Sequence, residues 1–338
     1  MLPVLFALAM LWPCCADEFH FRGVLGQPIP LHEDNSVPLV PVRIDDGEQR
    51  WALLDIGTSV TFMRLAAPAT AVARMATVAV LDAESVLVGD DPPITRLEFP
   101  DHRLYDYDWD DSRLATQLPL DGIVGTDLLG RFAIELRLGK RTFTAFDSVP
   151  SSNVELAEDG WAVLSGVYQG GGRTQTGCDA PLLPARRLVV DACVFDQADG
   201  PGRDVTLAVT TGFVDLTVGT AAAARLPERV VRVGVTADSD SDLGPCEELA
   251  RRIDGDPGAA VAWVDGDFPL VSIPDTAPAL IAARAEVAGA TAGLDGFLGT
   301  ALLRSFRLRL DYPGDRLLLR CEDSSAGCQT RPHRPEIL

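Results

Sequence analysis

An all-β protein assembled from two similar halves is what this sequence predicts, and three observations carry the prediction. Residues 121–146, DGIVGTDLLGRFAIELRLGKRTFTAF, recur in register at 295–320 as DGFLGTALLRSFRLRLDYPGDRLLLR. Both copies read Asp-Gly-x-x-Gly-Thr-x-Leu-Leu-x-x-Phe and continue into alternating apolar residues, the period of a half-buried strand. Upstream, WALLDIGTSVTF at 51–62 answers TLAVTTGFVDLT at 206–217: an apolar strand, a polar residue, one residue, Gly, and a second apolar stretch. The second copy carries about 19 more residues between its two motifs, a length that loops absorb at little entropic cost. Finally, strand-and-turn signals dominate the chain, with helical periodicity confined to short pieces at 126–132 and 300–306.

Taken from the start, MLPVLFALAMLWPCCA has the apolar core length of a secretion signal and is too short for a bilayer span. Residues 1–16 are therefore expected to be a signal peptide. The chain is expected to be secreted, periplasmic or on the outer surface, with Cys14 or Cys15 as an alternative lipid anchor. Then LVPVRID (39–45), a DGEQ turn and RWALLD form one hairpin; RLVVDACVF (187–195), a Gly-Pro-Gly turn and DVTLAV form its counterpart. Asp121 and Asp295 open Asp-Gly turns. Residues 148–160, rich in Ser and acidic residues, read as a linker, and 323–338 as a tail.

Composition narrows the functions. In 338 residues, 47% are hydrophobic and 23% charged, so a large core is available. With 49 acidic against 29 basic residues the formal net charge is −20, which repels phosphate backbones and argues against nucleic-acid binding. No later segment is apolar enough for a transmembrane span. Apart from Cys14 and Cys15, the cysteines are Cys178, Cys193, Cys246, Cys321 and Cys328. Cys321 and Cys328 flank a short loop and are the easiest pair to join, while the other three leave one thiol over. No CxxC pair or HExxH spacing occurs, so no metal is expected, and no cofactor motif is present. The aspartates at 106–111 and 238–242 fail the calcium-loop pattern at its sixth and twelfth positions. No GxSxG occurs.

The repeated motifs resemble the aspartic peptidases of retropepsin and pepsin type, and bacterial retropepsin-like proteins in particular. In that family each lobe has a strand ending in Asp-Thr-Gly and a later apolar-apolar-Gly segment. Here the first half offers Asp55-Ile56-Gly57-Thr58-Ser59 with Ile123-Val124-Gly125, and the second offers Thr210-Thr211-Gly212-Phe213 with Phe297-Leu298-Gly299. The resemblance implies a two-lobed acid-protease β-barrel fold, with lobes at 17–147 and 161–322, a cleft between them and Asp55 facing Thr210 at its floor. It also implies a monomer whose cleft takes a peptide or another extended ligand.

The family's chemistry needs two carboxylates about 3 Å apart sharing one proton, one acting as base toward water and the other as acid toward the scissile carbonyl. Thr210 stands where the second carboxylate should be, and a threonine hydroxyl does not ionise in the working range. Ile56 replaces the first loop-bridging threonine, while Thr211 keeps the other. The expectation is a homologue that is inactive or weakly active. The alternative is an active endopeptidase in which Asp55 is the sole base and Thr210 positions water. The region at 76–99 is the candidate flap, without a glycine-rich tip.

Overall fold

The computed structural model describes residues 22–34, 37–58, 61–64, 73–75, 78–89, 96–106, 120–130, 132–165, 168–169, 187–197, 200–236, 243–256, 258–287, 293–323 and 325–333. The leader with Cys14 and Cys15, Ser59, Cys178, the 238–242 aspartates and all but the first residue of the 106–111 run lie outside them.

The described residues are mostly β, and the two halves repeat one strand plan. In the first, Val37–Ile44 pairs antiparallel with Arg50–Leu54. The end of Arg50–Leu54 runs parallel to Leu120–Val124, Leu54 opposite Val124. Phe62–Met63 lies antiparallel on the other side of that strand. In the second half, Arg187–Phe195 pairs with Arg203–Val209, which runs parallel to Gly296–Leu298 with Val209 opposite Leu298. Leu216–Gly219 flanks the last strand antiparallel. Each half adds a long antiparallel pair, the hairpin Val78–Gly89 with Arg96–Asp106 in the first and Arg229–Thr236 with Val261–Ile273 in the second. The candidate flap region thus falls on the first hairpin, whose tip at 90–95 is not among the described residues.

A third sheet of six strands draws on both halves, in the order Ala162–Ser165, Arg316–Cys321, Phe306–Asp311, Ala133–Arg137, Thr142–Phe146, Pro28–Pro30. The halves join where Ala133–Arg137 pairs antiparallel with Phe306–Asp311, placing Glu135 directly opposite Arg309. These two residues are 174 positions apart, the same separation as Asp121 from Asp295, so equivalent positions of the repeat face each other. A local two-fold passes between them. Alternation sends Ile134, Leu136, Leu308, Leu310, Leu317 and Leu319 into a core shared by both halves. Each such burial contributes about 2 kcal/mol. On the sheet's other face Ala133 and Leu318 pack with Val149, Leu156 and Trp161.

Local structure exceeds the sequence expectation in three places. The 148–160 segment carries a helix, Asn153–Glu158, started by a capping box in which Ser152 and Glu155 satisfy each other's backbone N–H. Within 323–338, Cys328–Arg331 forms a strand on the edge of Val261–Ile273. Two longer helices, Pro245–Asp254 and Pro278–Val287, decorate the second half alone. Asp121 lies within a strand at a register shift, not at a turn. Cys321 is bonded to Cys328, and Cys193 to Cys246, the latter clipping Pro245–Asp254 to the sheet. No helix among the described residues is long and apolar enough to cross a membrane.

Candidate functional site

The loops that end Arg50–Leu54 and Arg203–Val209 meet across the two-fold. Each is seated on the parallel strand behind it: Asp55 N donates to Val124 O at 3.0 Å and Thr210 N to Leu298 O at 3.2 Å. The glycines after Val124 and Leu298 continue into short helices. There Thr126 N donates to Thr58 O at 2.8 Å, and Thr300 N to Phe213 O at 2.9 Å. Ile123-Val124-Gly125 and Phe297-Leu298-Gly299 therefore back the two loops and carry no reactive group. Asp127 accepts from Thr61 N at 2.8 Å and Thr61 Oγ1 at 2.6 Å, and Thr61 Oγ1 accepts from Gly125 N, which ties the first loop's exit to its backing.

Asp55 and Thr210 come together at the centre, both buried. Asp55 Oδ1 accepts from Thr210 Oγ1 at 2.7 Å and from three backbone N–H groups, Gly57 at 2.9 Å, Thr211 at 3.1 Å and Gly212 at 3.2 Å. Thr58 Oγ1 donates to Asp55 Oδ2 at 2.5 Å. The Thr210 hydroxyl, which donates its hydrogen bond to Asp55, accepts from Gly212 N at 3.0 Å. The carboxylate thus has five donors from its own chain, and three of them come from the other half. Charge-assisted bonds of this kind are about twice as strong as neutral ones.

Close approach explains both glycines. A Cβ on Gly57 would lie 2.5 Å from Thr210 Cβ, and one on Gly212 would lie 2.8 Å from Asp55 Oδ2. The bridging threonine survives on one side only. Thr211 Oγ1 accepts from Ile56 N at 3.2 Å and donates to the Leu54 carbonyl, while Ile56, wholly buried, packs into the shared core. Phe213 stacks on Phe297 with ring centroids 4.6 Å apart, so it faces a hydrophobic cluster beneath the Pro278–Val287 helix.

One neighbour escaped the sequence reading. Tyr312, wholly buried at the end of Phe306–Asp311, has its phenol pushed well above the ordinary tyrosine range by burial and, secondarily, by the charge of Asp55. Nothing in its surroundings along the chain marks it, because it reaches the site through the sheet the halves share. Among the described residues Cys193, Asp204 and Cys246 bring potential metal-ligand atoms within 4.8 Å of one another. Both thiols are committed to the disulfide, and Asp204 accepts from Cys246 N at 2.8 Å at the start of the helix Pro245–Asp254. That trio is a structural junction. Comparison with known proteins leaves this geometry to speak for itself: no family model matches the chain, and no curated protein matches it.

Proposed function

We propose that the chain is a two-lobed, retropepsin/pepsin-like aspartic-peptidase homologue whose central aspartate has become a structural clasp, leaving a non-hydrolytic protein that binds a peptide or another extended ligand between its halves. The observation that carries this reading is the bond between the two loops: the hydroxyl that stands in the place of a second carboxylate donates to Asp55 Oδ1 at 2.7 Å, beside three backbone N–H groups on the same oxygen and Thr58 on the other. A peptidase dyad needs a carboxyl proton to give and a carboxylate free to take one from water. Here the facing group donates its proton toward Asp55 and has none to lend to a scissile carbonyl. The repeated strand plan and the local two-fold support the family reading. Two disulfides fit delivery outside the reducing cytosol by the expected leader.

The test is digestion of a mixed peptide library by the purified chain across acid to neutral pH, read by mass spectrometry, beside an Asp55→Asn variant. Identical blank digests are expected. New termini made by the natural chain and lost in the variant would overturn the proposal in favour of a one-aspartate peptidase. Retention of intact library peptides on the immobilised chain measures the binding half of the proposal.

A further inference from the structure

The six-stranded sheet carries a rung of arginines on its outer face. Arg307 sits directly opposite Arg320 on the next strand. On its other side the pairing of Leu308 with Leu136 continues to bring Arg137 level with Arg307. Three cations therefore cross three adjacent strands at a spacing of about 4.8 Å. Like charges placed directly opposite on a sheet are destabilising. Counter-charge is supplied only in part, by Glu135, Glu322 and, through its field at Arg137, Asp323. Glu135 accepts from both Arg307, at 2.7 Å, and Arg309, at 2.6 Å, and Glu322 takes a two-pronged bond from Arg137 at 2.8 and 2.7 Å. Arg320 and Lys140, both exposed, form no ion pair among the described residues. Lys140, the only lysine of the chain, adds its field at Glu322 together with Arg307. The guanidinium groups of Arg307 and Arg309 are held over the Trp161 ring, 5.5 and 4.9 Å from its centroid, which fixes them on the surface.

In a chain of net charge −20 this is a local reversal of sign. We infer that the Arg137–Arg307–Arg320 rung with Lys140 is a docking surface for a short acidic polypeptide segment. Arg137 and Arg307 are held by Glu322 and Glu135, so the cations left to meet a carboxylate ligand are Arg320 and Lys140, and an arginine fork suits that group. Size decides against the larger polyanions. A membrane or duplex would have to bring many charges near the acidic remainder of the surface, whereas a short segment meets only the patch, within about one Debye length of 8 Å.

The experiment uses the full chain and a fluorescent oligo-aspartate peptide, read by anisotropy at about 0.05 M and about 0.3 M salt. Binding at low salt that fades at high salt is expected. Lys140→Glu with Arg320→Glu should weaken it about tenfold and Arg320→Ala alone about threefold, both with unchanged thermal melts, because neither residue is buried. Arg229→Glu, at an exposed ion pair on another sheet, should leave it intact. Absence of binding at low salt, or an equal loss in the Arg229→Glu variant, would overturn the inference. Anionic vesicles or heparin bound more tightly than the peptide would overturn the choice of ligand.

Discussion

The loop at Asp55-Ile56-Gly57-Thr58 and the loop at Thr210-Thr211-Gly212-Phe213 have the same backbone course and opposite chemistry. The first supplies the one charge and a hydroxyl, Thr58, that binds it; the second supplies three donors and an aromatic ring turned into the hydrophobic cluster. Two symmetric loops would compete for the same proton at the axis. These two are complementary, acceptor against donors, and need no proton between them. The repeated motif here forms a joint, which teaches that two copies of one strand-and-loop plan can differ enough in their side chains to bind each other.

The comparison can be broken most severely at its acceptor. Asp55→Ala would leave the Thr210 and Thr58 hydroxyls and three N–H groups facing a buried void, and should cost about 3–5 kcal/mol in urea unfolding. A loss under about 1 kcal/mol would mean that the carboxylate is not a clasp. Next in size is Gly57→Ala, whose methyl must push Thr210 away from its 2.5 Å approach. A cost of about 1–3 kcal/mol is expected, with a matching rise in protease susceptibility at the loops.

The smallest effect sharpens the comparison at the other end of the two-fold. Burial pushes the Glu135 carboxyl up, but the hydrogen bonds and charges of Arg307 and Arg309 outweigh it and hold the group below its ordinary value. A folded-state value depressed in this way contributes stability that is full above the unfolded carboxylate range and is lost as pH falls through the folded value. Glu322, held down first by its bond to Arg137, behaves likewise. Glu135→Gln should therefore lower the urea midpoint at neutral pH, by about 1 kcal/mol in free energy, and flatten the loss of stability on acidification. An unchanged acid slope would show that other carboxylates set it.

How much of this was legible follows from where each contact lies in the chain. The paired strands, both loops and the backing Gly125 and Gly299 segments were readable because the chain states them twice. The direction of the Thr210 hydroxyl was not, since a threonine reads the same whether it donates to a carboxylate or to water. Cys321 and Cys328 are near neighbours, whereas Cys193 and Cys246 are 53 residues apart and meet only because a helix folds back over the sheet. That helix announces itself by Pro245 at its start and Gly255, at φ +97°, just past its end. Beside the strand periodicity that dominates the chain, such end signals are weak. The Ser152–Glu155 box was hidden in the same way, inside a segment whose composition reads as loop.

The pairing of Glu135 with Arg309 makes the seam between the halves selective. A symmetric dimer of two first halves would set Glu135 against a second Glu135, and one of two second halves would set Arg309 against its own copy. Either assembly places identical charges in contact at its axis. Acid meets base there only where a first half joins a second half. With that position divided between acid and base, the two halves are no longer interchangeable at their seam: each is a lock cut for the other and not for its own copy.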